Sequence, residues 1–204
     1  MMPDMTFRTA LRPFALSVAV CAILPGFAAV AQETATDEAA PRAVGEPFLA
    51  ATHSDWEILC NEIDQAGTVS CEMYQLLFDP SQQPVAEISI AALPFGSEFS
   101  AGATITTPLE TFLPFGMGWR IGDAEEGRVE AFRVCTVVGC MVRMGLTPDE
   151  VDTMRAGSTA SIMIAPFVAI DQPVEIAVSL SGFTAAYEDL QTRLSEAAVA
   201  ARGN

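Results

Sequence analysis

The 204-residue chain is half hydrophobic and only 18% charged, and its 26 acidic against 10 basic residues give a net charge of −16. All ten cations are arginine and there is no lysine, so no basic patch exists to neutralise nucleic-acid phosphates or to lie on anionic lipid. So much aliphatic residue also excludes a disordered chain, and the length suits one domain with tails.

Residues 1–31 read as a secretory signal peptide. Arg8 and Arg12 precede an apolar run from Ala15 to Val30, which closes on the Ala29-Val30-Ala31 cleavage pattern. Pro25 and Gly26 break the run short of the ~20 residues a membrane-spanning helix needs, so no transmembrane anchor is expected after cleavage. Cys21 leaves with the peptide. Loss of Asp4, Arg8 and Arg12 leaves 25 acidic and 8 basic residues over 173, a charge of −17, with four cysteines. An even set in an oxidising compartment reads as disulfides. Of the three pairings, Cys60–Cys71 and Cys135–Cys140 are preferred, because both gaps are short and span turn residues, Ala66-Gly67 in one and Gly139 in the other.

Residues 32–51, rich in Ala, Glu, Thr and Pro without periodicity, are expected to form a flexible linker. A β domain follows over 52–187. Trp56-x-Ile58-x-Cys60 alternates as a half-buried strand does. Further strands are expected at 68–78, 85–93, 103–107, 117–121, 129–136, 140–146, 159–165 and 174–180, separated by Gly and Pro signals. Leu-Pro-Phe-Gly occurs at 93–96 and 113–116 and reads as a strand-ending turn in both places. One short helix is predicted after Thr147, with Pro148 at its first position, Glu150 completing a capping box and Gly157 ending it. Past Gly182 the spacing of Ala185, Ala186, Leu190, Leu194 and Ala197 predicts a C-terminal helix, residues 188–204 being assigned to a helical tail. The pattern is all-β: an antiparallel sandwich or barrel-like domain with one short helix and a C-terminal helix.

Candidates for chemistry are few. Cys135 and Cys140 lack the two-residue spacing of a redox dithiol and sit among strand residues, so both cysteine pairs are expected to be structural. His53, the one histidine, is read as an exposed residue at the linker edge. The carboxylates Asp123, Glu125 and Glu126, and Asp149, Glu150 and Asp152, read as a solvated turn and a helix start and lack the ligand spacing of a calcium loop. No catalytic residue, cofactor or metal ligand is assigned. Phe112, Phe115, Met117 and Trp119 form the densest aromatic and Met stretch; they are expected to be mostly core, with part exposed as a partner-binding edge.

Taken in order, Trp56-x-Ile58-x-Cys60, Cys71 with Gln75, Leu113-Pro114-Phe115-Gly116, Cys135-x-x-x-Gly139-Cys140 and Val178-Ser179-Leu180-x-Gly182-Phe183 resemble the invasion-associated locus B family of exported alphaproteobacterial proteins. The resemblance runs from about Ser54 to Tyr187. It implies an all-β domain of the envelope or secreted fraction and, for pathogen members, a role in entering host erythrocytes. It brings no catalytic residue, cofactor or defined ligand. The acidity departs from an adhesin for sialylated host cells, since like charge slows encounter.

The leading expectation is a non-catalytic interaction or structural module. It is periplasmic, outer-membrane-associated or secreted, with a protein or envelope partner whose identity the sequence leaves open, as it does the oligomeric state. A small-ligand or lipid-binding periplasmic protein is the second, from the Phe and Met content. A thiol–disulfide oxidoreductase is the third, from the paired cysteines alone.

Overall fold

The computed structural model describes residues 43–65, 67–124 and 127–203; the signal peptide and most of the expected linker lie outside them. Eleven strands and two helices follow one another as β1 (Pro47–His53), β2 (Trp56–Glu62), β3 (Val69–Phe78), β4 (Pro84–Ala92), β5 (Ala101–Thr107), β6 (Met117–Ile121), β7 (Arg128–Glu130), β8 (Phe132–Thr136), β9 (Gly139–Leu146), α1 (Pro148–Ala156), β10 (Thr159–Ile164), β11 (Val174–Ser179) and α2 (Phe183–Gly203). A seven-stranded sheet runs β1-β2-β3-β4-β5-β9-β8 and a four-stranded sheet runs β11-β10-β6-β7. Every pairing is antiparallel.

Strand alternation builds the core. On β2 Trp56, Ile58 and Cys60 are buried, on β4 Ala86, Ile88 and Ile90, and on β5 Ala101, Ala103 and Ile105. Side chains two apart share a face, so these rows form the inner surface of the large sheet. Met117 and Trp119 of β6, Ala160 and Ile162 of β10, and Ile176 and Val178 of β11 meet them from the small sheet in one continuous core. The sandwich reading is therefore correct.

Gln75 is the polar exception, buried in β3. It accepts from Ser179 N at 2.9 Å and donates to Ser179 O and Asp55 O, each at 3.1 Å. One amide thus satisfies the edge of β11 in one sheet from β3 in the other, and Trp56 Nε1 adds a second donor to Ser179 O.

Three departures from the expected elements have physical reasons. The linker ends sooner than residue 51, because β1 pairs with β2 from Pro47 through a bulge between Leu49 and Ala51; its edge position lets it pair without a clean alternation. The strand expected over 129–136 is two strands. β7 pairs with β6 in the small sheet, β8 with β9 in the large one, and the chain crosses between sheets at Ala131. A corner of that kind leaves the local pattern intact. The division between domain and tail at 187/188 falls inside α2, whose first two turns bury Phe183, Ala186, Tyr187 and Leu190 in the core. Ala185, placed on the packing face by spacing, is exposed instead.

α2 covers the inner side of β1 to β4 beside the small sheet. Phe183 meets Trp56 edge-on at 5.7 Å and stacks on Tyr187 at 5.8 Å, with Arg155 of α1 lying over the Tyr187 ring. α1 has the predicted capping box: the Thr147 hydroxyl accepts from Glu150 N, and the Glu150 carboxylate accepts from Thr147 N. Gly182, at φ +83°, opens α2 where a Cβ would lie 2.0 Å from His53 O, so only glycine fits.

Candidate interaction surface

Both expected disulfides are present. Cys60 and Cys71 are directly opposed on β2 and β3, and Cys135 and Cys140 on β8 and β9. The second closes a hairpin whose tip, Thr136-Val137-Val138-Gly139, is only four residues long. Val137 is 95% exposed and Val138 73% exposed. The Thr136 hydroxyl accepts from Val138 N and shapes the turn. Gly139, at φ +149°, lies where a Cβ would come within 2.4 Å of Thr107 O, which seats the hairpin against the end of β5.

From Thr107 the chain enters the loop 108–116, which is tied to the loop 165–173 as if the two were strands. Phe112 N donates to Ala165 O at 2.8 Å, Phe167 N donates to Glu110 O at 2.7 Å, and Thr111 pairs with Pro166. Two buried threonines join this pair to the hairpin. Thr111 Oγ1 lies 2.7 Å from Pro108 O and 3.1 Å from Thr107 Oγ1, and Thr107 Oγ1 donates to Cys140 O at 3.2 Å. The three loops form one rigid end of the sandwich.

That end displays apolar side chains to water. Phe167 and Val168 are exposed, as are Leu109, Leu113, Phe115 and Ile170, and Phe112 packs its ring against Phe167 at 6.4 Å. Glu110 and Asp171 are the only charges in the three loops, which contain no arginine. Apolar groups held in water on a hydrogen-bonded frame, with few charges among them, have the composition of an interaction surface.

The predicted stretch divides here. Phe112 and Phe115 belong to the exposed end. Met117 and Trp119 do not: both point inward from β6 and are buried in the core, so their place in a partner-binding edge is corrected. Sequence reasoning missed Val137, Val138, Phe167 and Val168. The signal was present in Pro166-Phe-Val-Ala-Ile-Asp-Gln-Pro173, where apolar residues stand between prolines that forbid a strand, so they had no sheet face to bury them.

His53 is also corrected. It ends β1 and its Nε2 lies 2.9 Å from Asp189 Oδ2, while Arg193 Nε donates to Asp189 Oδ1 at 2.8 Å. Burial works against the charge on Asp189, but the hydrogen bonds from His53 and Arg193 hold its carboxyl below the ordinary value. The histidine thus pins α2 to the edge of the large sheet. Of the acidic groups, Glu150 serves the cap of α1, and Glu125 and Glu126 lie outside the described residues. Among the described residues no cluster of three or more His, Cys, Asp or Glu could hold a metal ion.

Comparison with known proteins gives a consistent result. Residues 56–191 match the family described as Invasion associated locus B (IalB) protein. The chain is 26% identical over 152 residues to the invasion protein B homologue of Brucella abortus strain 2308, covering 72% of this chain and 82% of that protein. The homologue from B. abortus biovar 1 strain 9-941 matches to the same extent. The crystal structure of invasion associated protein B from Bartonella henselae shares the fold, with a TM-score of 0.62 at 21% identity over 73% of this chain and 99% of that one.

Proposed function

The chain belongs to the invasion-associated locus B family, and from that membership we propose that it is an exported, non-catalytic interaction module that engages a protein of the bacterial envelope through its apolar loop end. The observation that carries the reading is the exposure of Val137, Val138, Phe167 and Val168 on loops joined by buried threonines, with the hairpin among them closed by a disulfide. Ordering these side chains in advance lowers the entropy lost on binding.

Export is supported by the leader-like residues 1–31 and by four cysteines that form two bonds suited to an oxidising compartment. A role without catalysis is supported by the work the reactive groups already do. The four cysteines staple strands, His53 anchors α2 through Asp189, and Glu150 caps α1. Among the described residues no helix is long and apolar enough to cross a membrane. The Brucella and Bartonella relatives are named for invasion; in this chain a net charge of −16 disfavours approach to anionic host surfaces, which supports a protein partner met through the apolar loops over attachment to a charged host surface.

Capture from a detergent-solubilised envelope extract tests the proposal. Wild-type protein is expected to retain a partner that the triple variant Val138→Ser, Phe167→Ser, Val168→Ser loses, while both melt at similar temperatures. Equal retention by the two would remove the loop end as the binding face. Recovery of the protein from the cytoplasm with residues 1–31 still attached would remove export.

A further inference from the structure

The two disulfides differ in what surrounds them. Cys60–Cys71 joins β2 to β3 inside the large sheet, where each strand has a second neighbour, β1 or β4, and the pairing continues on both sides of the bond. Cys60 is buried and Cys71 half-buried. Cys135–Cys140 lies at the free edge instead. β8 pairs with β9 alone, Cys135 is exposed, and only Cys140 is buried. A single further pair, Thr136 with Gly139, separates the bond from the turn of Val137 and Val138.

That turn is poorly suited to hold itself closed. Two-residue hairpin turns that match strand twist need a positive φ at their first central residue, which Asn, Asp or Gly supplies. Val137 and Val138 are β-branched and neither has a positive φ; tight turns favour other residues. The register of β8 also shifts between Phe132 and Val134, so the cross-link is the main tie between the end of β8 and β9. β9 is secured from its other side, where it pairs with β5 from Leu146 to Cys140 and the Thr107 hydroxyl donates to Cys140 O.

We propose that Cys135–Cys140 is a reversible switch, reduced by a dithiol protein, that sets whether the loop end is in its binding form; this rests on the reading of that end as the binding face. A thiolate of the reductant attacks the exposed Cys135 Sγ. The bond between the two cysteines breaks as a mixed disulfide forms on Cys135, and the electron pair leaves on Cys140 Sγ, which takes up a proton. The reductant's second thiol then attacks the mixed disulfide, Cys135 departs and is protonated, and the reductant leaves as a disulfide. Two electrons and two protons have passed to the protein, which is the substrate of the exchange and not its catalyst. Exposed bonds are the ones that exchange in this way. Cys135–Cys140 spans 5 residues of sequence against 11 for Cys60–Cys71, so it restrains the unfolded chain less. Its reduction opens the tip that carries Val137 and Val138 and leaves the sandwich folded.

Graded reduction of the purified protein with dithiothreitol, followed by alkylation and peptide mass analysis, tests the proposal. Cys135–Cys140 is expected to open roughly tenfold faster than Cys60–Cys71; equal rates or the reverse order would overturn it. Amide hydrogen exchange in the double variant Cys135→Ser, Cys140→Ser is expected to rise over residues 134–139 and to stay unchanged at Val142 and Met144 of β9. Unchanged exchange at the tip would also overturn the switch. In the envelope capture, this variant is expected to retain roughly a tenth of the partner held by the wild type. If it retains the partner fully while the triple loop variant loses it, the switch falls and the loop end stands as the binding face. If the wild type holds no partner, or the triple variant holds it equally, the binding face falls and the switch with it.

Discussion

Gln75 sits in a row of otherwise apolar side chains on β3, and the reason is the backbone it faces. Ser179 N–H and Asp55 C=O end within the sandwich, and the Gln75 amide supplies the partner each needs. Leucine would fill similar space and satisfy neither. Since a buried group left without its partner costs about 1–3 kcal/mol, Gln75→Leu is expected to destabilise the fold by about 2–4 kcal/mol, read as a fall in urea midpoint with unchanged slope. Tyr74, on the outer face of the same strand, reports a different environment. Partial burial, then its hydrogen bond to Glu87 and the negative charges of Glu87 and Glu57, push its phenol up to about 12. The folded state therefore holds the Tyr74 proton more tightly than the unfolded chain. Its contribution to stability is present below about pH 10 and falls as pH rises toward 12. An ultraviolet titration of the folded protein is expected to show Tyr74 ionising at about 12 and Tyr187, which burial also raises, above its ordinary value, and Glu87→Gln should lower the Tyr74 inflection. An ordinary inflection near 10 for both tyrosines would contradict this environment.

Most elements could be read from the sequence wherever the local pattern and the tertiary contacts agree. Trp56, Ile58 and Cys60 alternate because one face of β2 is core and the other solvent. Thr147-Pro148-Asp149-Glu150 spells a capping box because the groups that satisfy one another are three residues apart. Both Leu-Pro-Phe-Gly segments end in a glycine with positive φ, Gly96 and Gly116, but only the first ends a strand, β4; the second is a single 3-10 turn, Leu113–Phe115, that leads into β6. What could not be read depends on partners far along the chain. β1 is an edge strand that takes its register from β2. The break at Ala131 exists because β7 and β8 join different sheets. His53 finds Asp189 across 136 residues. The candidate site divides in the same way: Phe112 and Phe115 were found in a dense aromatic stretch, whereas Phe167 reaches the surface only because its loop is bound to Glu110. The disulfides, each linking opposed strand residues, were within reach of spacing alone. A loop as short as that between Cys60 and Cys71 is worth about 2–3 kcal/mol. The double variant Cys60→Ser, Cys71→Ser is therefore expected to melt visibly below the wild type, and an unchanged melting temperature would show that the bond does not staple β2 to β3.

At the scale of the molecule, the two ends of the sandwich are built differently. One is closed: three loops are joined by hydrogen bonds and buried threonines, a disulfide closes one of them, and together they raise Val137, Val138, Phe167 and Val168 into water. The other is open, with a cleft of mixed apolar and polar lining between the second half of α2 and the β2–β3 end of the large sheet. An acidic chain without lysine keeps the body of the protein from anionic surfaces, so specific attachment falls to the apolar loop end, where Glu110 and Asp171 are the only charges. The loop end carries the central claim. The most direct test is site-specific photo-cross-linking in the living bacterium, with a photoreactive residue at 138 or 168 and a control at Leu76, which is exposed on the outer face of the large sheet. The account predicts one shared cross-linked envelope protein from 138 and 168 and none from 76. Cross-links of equal yield from all three positions, or none from the loop end, would contradict it.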